Sequence, residues 1–124
     1  MTWTELVMAA APSKGDQPAV SDVRTGEVLS YAAFARRVTR AAAGLRRDGL
    51  AYGDHVLVDV PLGATLPVAV HAVAWAGGVA VLGGAGRART VITQGPGPAA
   101  VAADKVYSFR PSPGALPFAG LLGA

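Results

Sequence analysis

A chain of 124 residues is long enough for one domain and too short for two. It is 52% hydrophobic and 15% charged with a net charge of +3, which excludes disorder of the whole chain. It has no cysteine, which excludes disulfides, a thiol nucleophile and a cysteine-based zinc site. The counts of 26 Ala, 16 Val and 11 Leu against a single Ile call for a core of small aliphatic side chains. The longest apolar stretch, Leu62 to Leu82, is interrupted by Pro67, His71 and Gly77-Gly78, so no membrane span is expected. No basic start followed by an apolar run marks a secretory signal, and the expected location is cytoplasmic.

In chain order, Thr2-Trp3-Thr4-Glu5 fits a capping box, and a short helix is expected from there to about Ala11, stopped by Pro12. Ala19 to Asp22 and Glu27 to Leu29 read as a small hairpin around Arg24-Thr25-Gly26. Ser30 is placed to cap a helix running from Tyr31 to about Asp48, with Leu29 and Phe34 as a hydrophobic staple. Phe34, Val38, Ala42 and Leu45 fall on one face at a 3.6 period, and Gly49 supplies a left-handed cap. His55 to Val60 is a β-branched run of strand length, closed by Pro61. Pro67 suits the first turn of a second helix carrying Val68, His71, Ala72 and Trp75, which Gly77-Gly78 ends. Val79 to Leu82 reads as a buried strand, Thr90 to Thr93 as another, and Val106 to Phe109 as a fourth. A short Ala-rich helix is expected within Gly95 to Ala103, and one or two helical turns within Ala115 to Leu122. The order of strands and helices points to the α/β class, with a small, mainly parallel sheet flanked by helices and an N-terminal β-hairpin.

The cations are unevenly placed: five of nine Arg lie between Arg36 and Arg47, on one expected helix. A solvated helix face explains them without nucleic acid, since aromatic residues stand only at the start of that helix. Six residues are candidates for ligand contact. His71 and Trp75 are four apart on one helix face, so their side chains adjoin and line a pocket or an interface; the plainer alternative is a half-buried His bonded to backbone. His55 and Asp59 share a strand face with Leu57, which leaves a His–Asp pair open. Arg87 and Arg89 follow a glycine-rich turn, Gly83-Gly84-Ala85-Gly86, that comes after a strand but leaves no room for the helix a dinucleotide site requires. They are either anion contacts or ordinary exposed loop arginines. No Ser, Cys or second carboxylate is spaced to complete a catalytic set, and two separated His make no metal site.

Taken together, Gly26-Glu27-Val28-Leu29-Ser30-Tyr31, Ala43-Gly44-Leu45-Arg46-Arg47-Asp48-Gly49-Leu50, Gly53-Asp54-His55-Val56-Leu57-Val58 and Trp75-Ala76-Gly77-Gly78 resemble the adenylate-forming superfamily. That superfamily comprises acyl-CoA synthetases, nonribosomal-peptide adenylation domains and luciferases. The likeness runs from about Asp16 to Leu82, with Trp75 where Lys or Arg is common. It implies a single unit over residues 1–124 similar to the N-terminal subdomain of such a ligase. The Ser/Thr/Gly-rich loop ending in Pro-Lys that holds ATP phosphates in the superfamily is not found in these residues, nor is a Lys in a matching catalytic context. The resemblance therefore implies a partial ligase that does not adenylate alone and holds no cofactor. It implies a homodimer or a complementary ligase fragment as partner. The alternative is a small enzyme or binding module for an acyl or natural-product intermediate, with its site at a dimer interface.

Overall fold

The computed structural model describes residues 3–61, 63–82, 89–94, 103, 105–110 and 114–122. Its longest element follows from the strongest periodicity in the chain. Helix α2, Tyr31–Arg47, starts where the Ser30 hydroxyl accepts the Ala33 amide at 3.1 Å. It buries Phe34, Val38, Ala42 and Leu45, together with Ala41 and Gly44. Each of the large side chains contributes about 1.5–3 kcal/mol by leaving water. At the other end the Leu50 amide bonds the Leu45 carbonyl and the Gly49 amide bonds Arg46, a paired closure that satisfies carbonyls the last turn leaves free.

Ahead of α2 lie helix α1, Trp3–Lys14, and a hairpin of β1, Pro18–Ser21, and β2, Val28–Ser30. Thr2 falls outside the described residues. Helix α1 does not stop at Pro12. A proline removes one hydrogen bond to the preceding turn, and so close to the end of the helix that single loss is tolerated; Gly15 still closes onto the Ala11 carbonyl at 2.9 Å. In the hairpin turn, the Asp22 carboxylate accepts the amides of Arg24 at 3.0 Å and Thr25 at 3.3 Å. Desolvation pushes the Asp22 carboxyl up, but the amides of Thr25, Arg24 and Ala64 outweigh it and leave its pKa below the ordinary value. The turn is thereby bonded to Ala64, far along the chain and just before the last of the three described α-helices.

The sheet contains β3, His55–Asp59, β4, Val79–Leu82, β5, Thr90–Thr93, β6, Lys105–Ser108, and the two-residue β7, Leu116–Pro117. All four pairings are parallel and the order is β4-β3-β5-β6-β7. Helix α3, Thr65–Trp75, carries the chain from β3 to β4. It ends as the glycine pair requires: the Gly78 amide bonds Val73 and the Gly77 amide bonds Ala74, with Gly77 at φ +94°. A Cβ on Gly78 would stand 3.0 Å from the Asp54 carbonyl oxygen, so the second glycine is needed for the close approach of the loop before β3. Arg46 of α2 completes that end, donating to the carbonyl oxygens of Ala76 at 3.0 Å and Trp75 at 3.4 Å.

Helices α1, α2 and α3 share one face of the sheet with Val56, Val58, Ile92 and Tyr107. On the opposite face Val81, Leu57, Val91 and Val106 form a row across four strands, packed with Ala103 and Ala115. A 3-10 helix, Phe118–Leu122, returns to α2. It supplies the helical turns expected within Ala115 to Leu122, after the chain has first paired as β7 alongside β6. Strand β4 departs from expectation in its burial. Its bounds are as expected and its apolar run reads as a buried strand, yet the crossover places it at the sheet edge, leaving Val79 45% and Leu82 63% exposed. Strand β6 begins and ends one residue before its expected bounds, and the helix expected within Gly95 to Ala103 lies outside the described residues except for Ala103, which is not helical. No helix among the described residues is long and apolar enough to cross a membrane.

Candidate functional site

Two places among the described residues are candidates for holding a ligand or partner. In an open parallel sheet, the crevice outside the carboxyl ends of the strands, where the strand order reverses, is the usual ligand position. Here the order reverses between β3 and β5. Asp59, Thr93 and Ser108 end three adjacent strands in register, one row beyond Leu57, Val91 and Val106 and on the same face. Thr93 and Ser108 are buried, and the Ser108 hydroxyl donates to the Arg110 carbonyl. Next in the chain after Thr93, the Gln94 side-chain oxygen is buried with no hydrogen-bond partner among the described residues. The row holds a carboxylate and two hydroxyls, groups that accept hydrogen bonds from N–H or O–H donors.

The second place is a groove of about 1030 Å³ across the helix layer. Its floor is small: Ala42 and Ala43 from α2, Ala74 from α3, and Gly77-Gly78. Tyr52, Trp75 and Val79 supply its apolar walls, while Thr4 and Glu5 close the end toward α1. Trp75 is 38% exposed there.

His71 sits one turn before Trp75, so the two neighbour each other on α3, but their surroundings differ. The His71 Nδ1 lies 2.7 Å from the Thr4 hydroxyl, a side-chain bond that ties α1 to α3 in place of the expected backbone bond. Its ring meets Phe34 edge-on, with centroids 5.6 Å apart. Desolvation lowers the His71 pKa below its usual value, so the neutral ring is favoured.

The remaining candidates are dispersed. His55 and Asp59 stand at opposite ends of β3, one exposed and one half-buried. Four residues of strand span about 13 Å, so sharing a face does not make them a pair. Arg89 lies at the amino-end edge of the sheet beside a small cavity of about 220 Å³ with Asp48, Asp54, Lys105 and Tyr107. In that cavity the Tyr107 hydroxyl donates to Asp48 at 2.6 Å. This bond, with help from Arg47 and against desolvation, holds the Asp48 carboxyl below the usual carboxylate range; burial and the same carboxylate push the Tyr107 phenol up. Arg87 lies outside the described residues. Among the described residues no three His, Cys, Asp or Glu are placed to hold a metal.

The sequence reasoning missed Thr93, Gln94 and Ser108, and on the groove it missed Arg46 and Tyr52. The strand-end polar residues were visible as Thr or Ser closing apolar runs, but only the register sets them in a row. Tyr52 carries no sequence signal.

The family model described as AMP-binding enzyme matches residues 7–86, well over half of the chain. The chain belongs to the AMP-binding enzyme family. This family sits within the resemblance read from the motifs. A 4-coumarate–CoA ligase of Oryza sativa is 42% identical over 57 residues, which cover 46% of this chain and 10% of that protein. A salicyl-AMP ligase / salicyl-S-ArCP synthetase of Mycobacterium tuberculosis is 38% identical over 84 residues, covering 65% of this chain and 15% of the relative. A benzoate CoA ligase structure from Burkholderia xenovorans superposes with a TM-score of 0.78 at 20% identity, over 100% of this chain and 28% of that one. That last likeness shows the family's fold. The chain thus spans only a small part of the length of these relatives.

Proposed function

We propose that these residues form the N-terminal α/β unit of a carboxylic-acid-activating ligase and do not form an acyl adenylate alone. In this reading the unit works by docking its sheet against a complementary ligase segment or a second copy of itself. The observation that carries the reading is the β4 edge. It is uncharged and free of proline, exposes Val79 and Leu82, and has β3 as its one strand neighbour among the described residues. Such an edge is a template for a further strand, and a stable protein covers it. The relatives' names support the substrate class, since all three join an aromatic or arylpropenoic acid to CoA, AMP or a carrier. Support for the missing chemistry comes from the sequence, in which neither Lys14 nor Lys105 follows a Ser/Thr/Gly-rich loop.

The test pairs two measurements on the chain. Pyrophosphate exchange with ATP and salicylate, benzoate or 4-coumarate is expected to stay at background, and sedimentation at micromolar concentration is expected to show a dimer. Exchange above background refutes the partial-ligase reading; a monomer that is indifferent to a Leu82→Lys substitution refutes the role of the edge. A second reading, a small binding module, rests on the Asp59–Thr93–Ser108 row. It gains support if a thermal-shift screen of acyl acids stabilises the wild type and not Asp59→Ala.

A further inference from the structure

Backbone polar groups alternate along a strand as side chains do, so an edge strand spends half of them on its neighbour and turns half outward. On β4 the Val79 amide donates to the Asp54 carbonyl at 2.8 Å. Val79, and Val81 two residues on, therefore turn their amides and carbonyls toward β3. Ala80 and Leu82 turn theirs to the open side of the edge.

An antiparallel strand bonds such an edge where outward residues face one another. For a second copy of β4, one register does this for both outward residues of each strand. Ala80 stands opposite Leu82 of the other copy, Leu82 opposite its Ala80, and the two-fold axis passes between the two Val81 residues. A register centred on Ala80 instead puts Leu82 opposite Gly78, whose amide is already bonded to the Val73 carbonyl. The side chains match in the first register too. Exposed Leu82 lies over half-buried Ala80 of the other copy, a large side chain on a small one. On the opposite face Val81 meets Val81, and the apolar row of Val106, Val91, Leu57 and Val81 continues into its own copy.

Charge permits this pairing. A two-fold axis sets each group near its own kind, so a charged edge repels itself. The chain has 11 basic and 8 acidic residues, yet none lies between Val60 and Gly86, a stretch that includes all of α3 and β4. Four strand residues alone fall short of the about 800 Å² per partner of a stable interface. Trp75 and Tyr52, which line the groove together with Val79, add apolar surface at the start of the edge.

We propose that the occupant of the β4 edge is β4 of a second copy, antiparallel and centred on Val81, joining the two sheets into one. This rests on the reading that the unit docks through that edge, and adds the partner and the register.

The chain has no cysteine, so a single introduced one can link only to another copy. In this register Val81→Cys faces its counterpart across a non-hydrogen-bonded pair, with Cα atoms about 4.5 Å apart and within disulfide range. Val79→Cys, on the same face, lies about 13 Å from its counterpart and out of range. Mild oxidation at micromolar concentration is expected to link Val81→Cys at least about tenfold faster than Val79→Cys, with circular dichroism of both as in wild type. Adding Leu82→Lys is expected to abolish the difference. In the unsubstituted chain, exchange of the Ala80 and Leu82 amides is expected to slow as concentration rises. A dimer in sedimentation that links both cysteines equally, or leaves those amides exchanging freely, overturns the β4 pairing while self-docking of the unit stands. A monomer at every concentration, with those amides unprotected, overturns the second copy as the occupant. Whether the unit adenylates is read separately by pyrophosphate exchange, on which the cross-link does not depend.

Discussion

Gly44→Ala sets two effects of opposite sign against each other. On α2 alone, alanine in place of an interior glycine stabilises by about 1 kcal/mol. In the fold, the added Cβ would stand 2.4 Å from the Leu121 carbonyl oxygen and 2.7 Å from its Cα, where ordinary contacts begin at 3.4 Å. The neighbour is backbone, so no rotamer change relieves the overlap, and the 3-10 helix must retreat by about 1 Å. Overpacking of this kind costs about 1–3 kcal/mol, and unseating the buried Leu121 adds part of its about 1.5–3 kcal/mol of burial. The expected net result is a loss of about 2 kcal/mol in urea unfolding. Faster amide exchange should be confined to residues 118–122. Shortening Leu121 to Ala should not restore stability, because the overlapping atoms remain. If Gly44→Ala unfolds at the same or higher urea concentration than wild type, with exchange at 118–122 unchanged, the docking of the 3-10 helix on α2 is wrong.

The neutral, half-buried His71 makes stability pH-dependent: the unfolded ring takes its proton near its usual 6.5 and the folded ring only lower, so the contribution is full above 6.5 and lost as pH falls through the folded value. Urea midpoints at pH 7.5 and 5 should diverge in wild type and converge in His71→Gln. Tyr107→Phe removes the hydroxyl that donates to Asp48 and is expected to cost about 1 kcal/mol at neutral pH, below the about 1.5–3 kcal/mol of a bond to a buried charge because that carboxylate is largely solvated. Since the folded Asp48 pKa lies below the usual 3.8, that contribution is present above 3.8 and fades in stronger acid, so an acid titration of unfolding should bring the two proteins together.

Local chemistry made some elements legible and left others ambiguous. Helix α2 could be read to within a residue because its cap, its apolar face and its closing glycine agree, and each acts within a few residues. The glycine pair ending α3 and the strand at His55 were legible for the same reason. The bounds of strand β4 were legible too, but its place was not, because Val-Ala-Val-Leu looks alike at the centre of a sheet and at its edge; the crossover through α3 decides which. The candidate residues divided likewise. His71 and Trp75 were neighbours by helix geometry, whereas His55 and Asp59 shared only a strand face and strand rise kept them apart.

The sequence alone determined the class, the element order, the small-residue core and the kinship with adenylate-forming ligases, all of which follow from patterns within a few residues or from their order along the chain. Tertiary structure decided the rest. Parallel register brought Asp59, Thr93 and Ser108 into one row from three separate strands. Packing of α1 along α2 and α3 shaped the groove and set Thr4 against His71, 67 positions away. Such contacts join residues distant in sequence, and no local period or cap encodes which of them will meet.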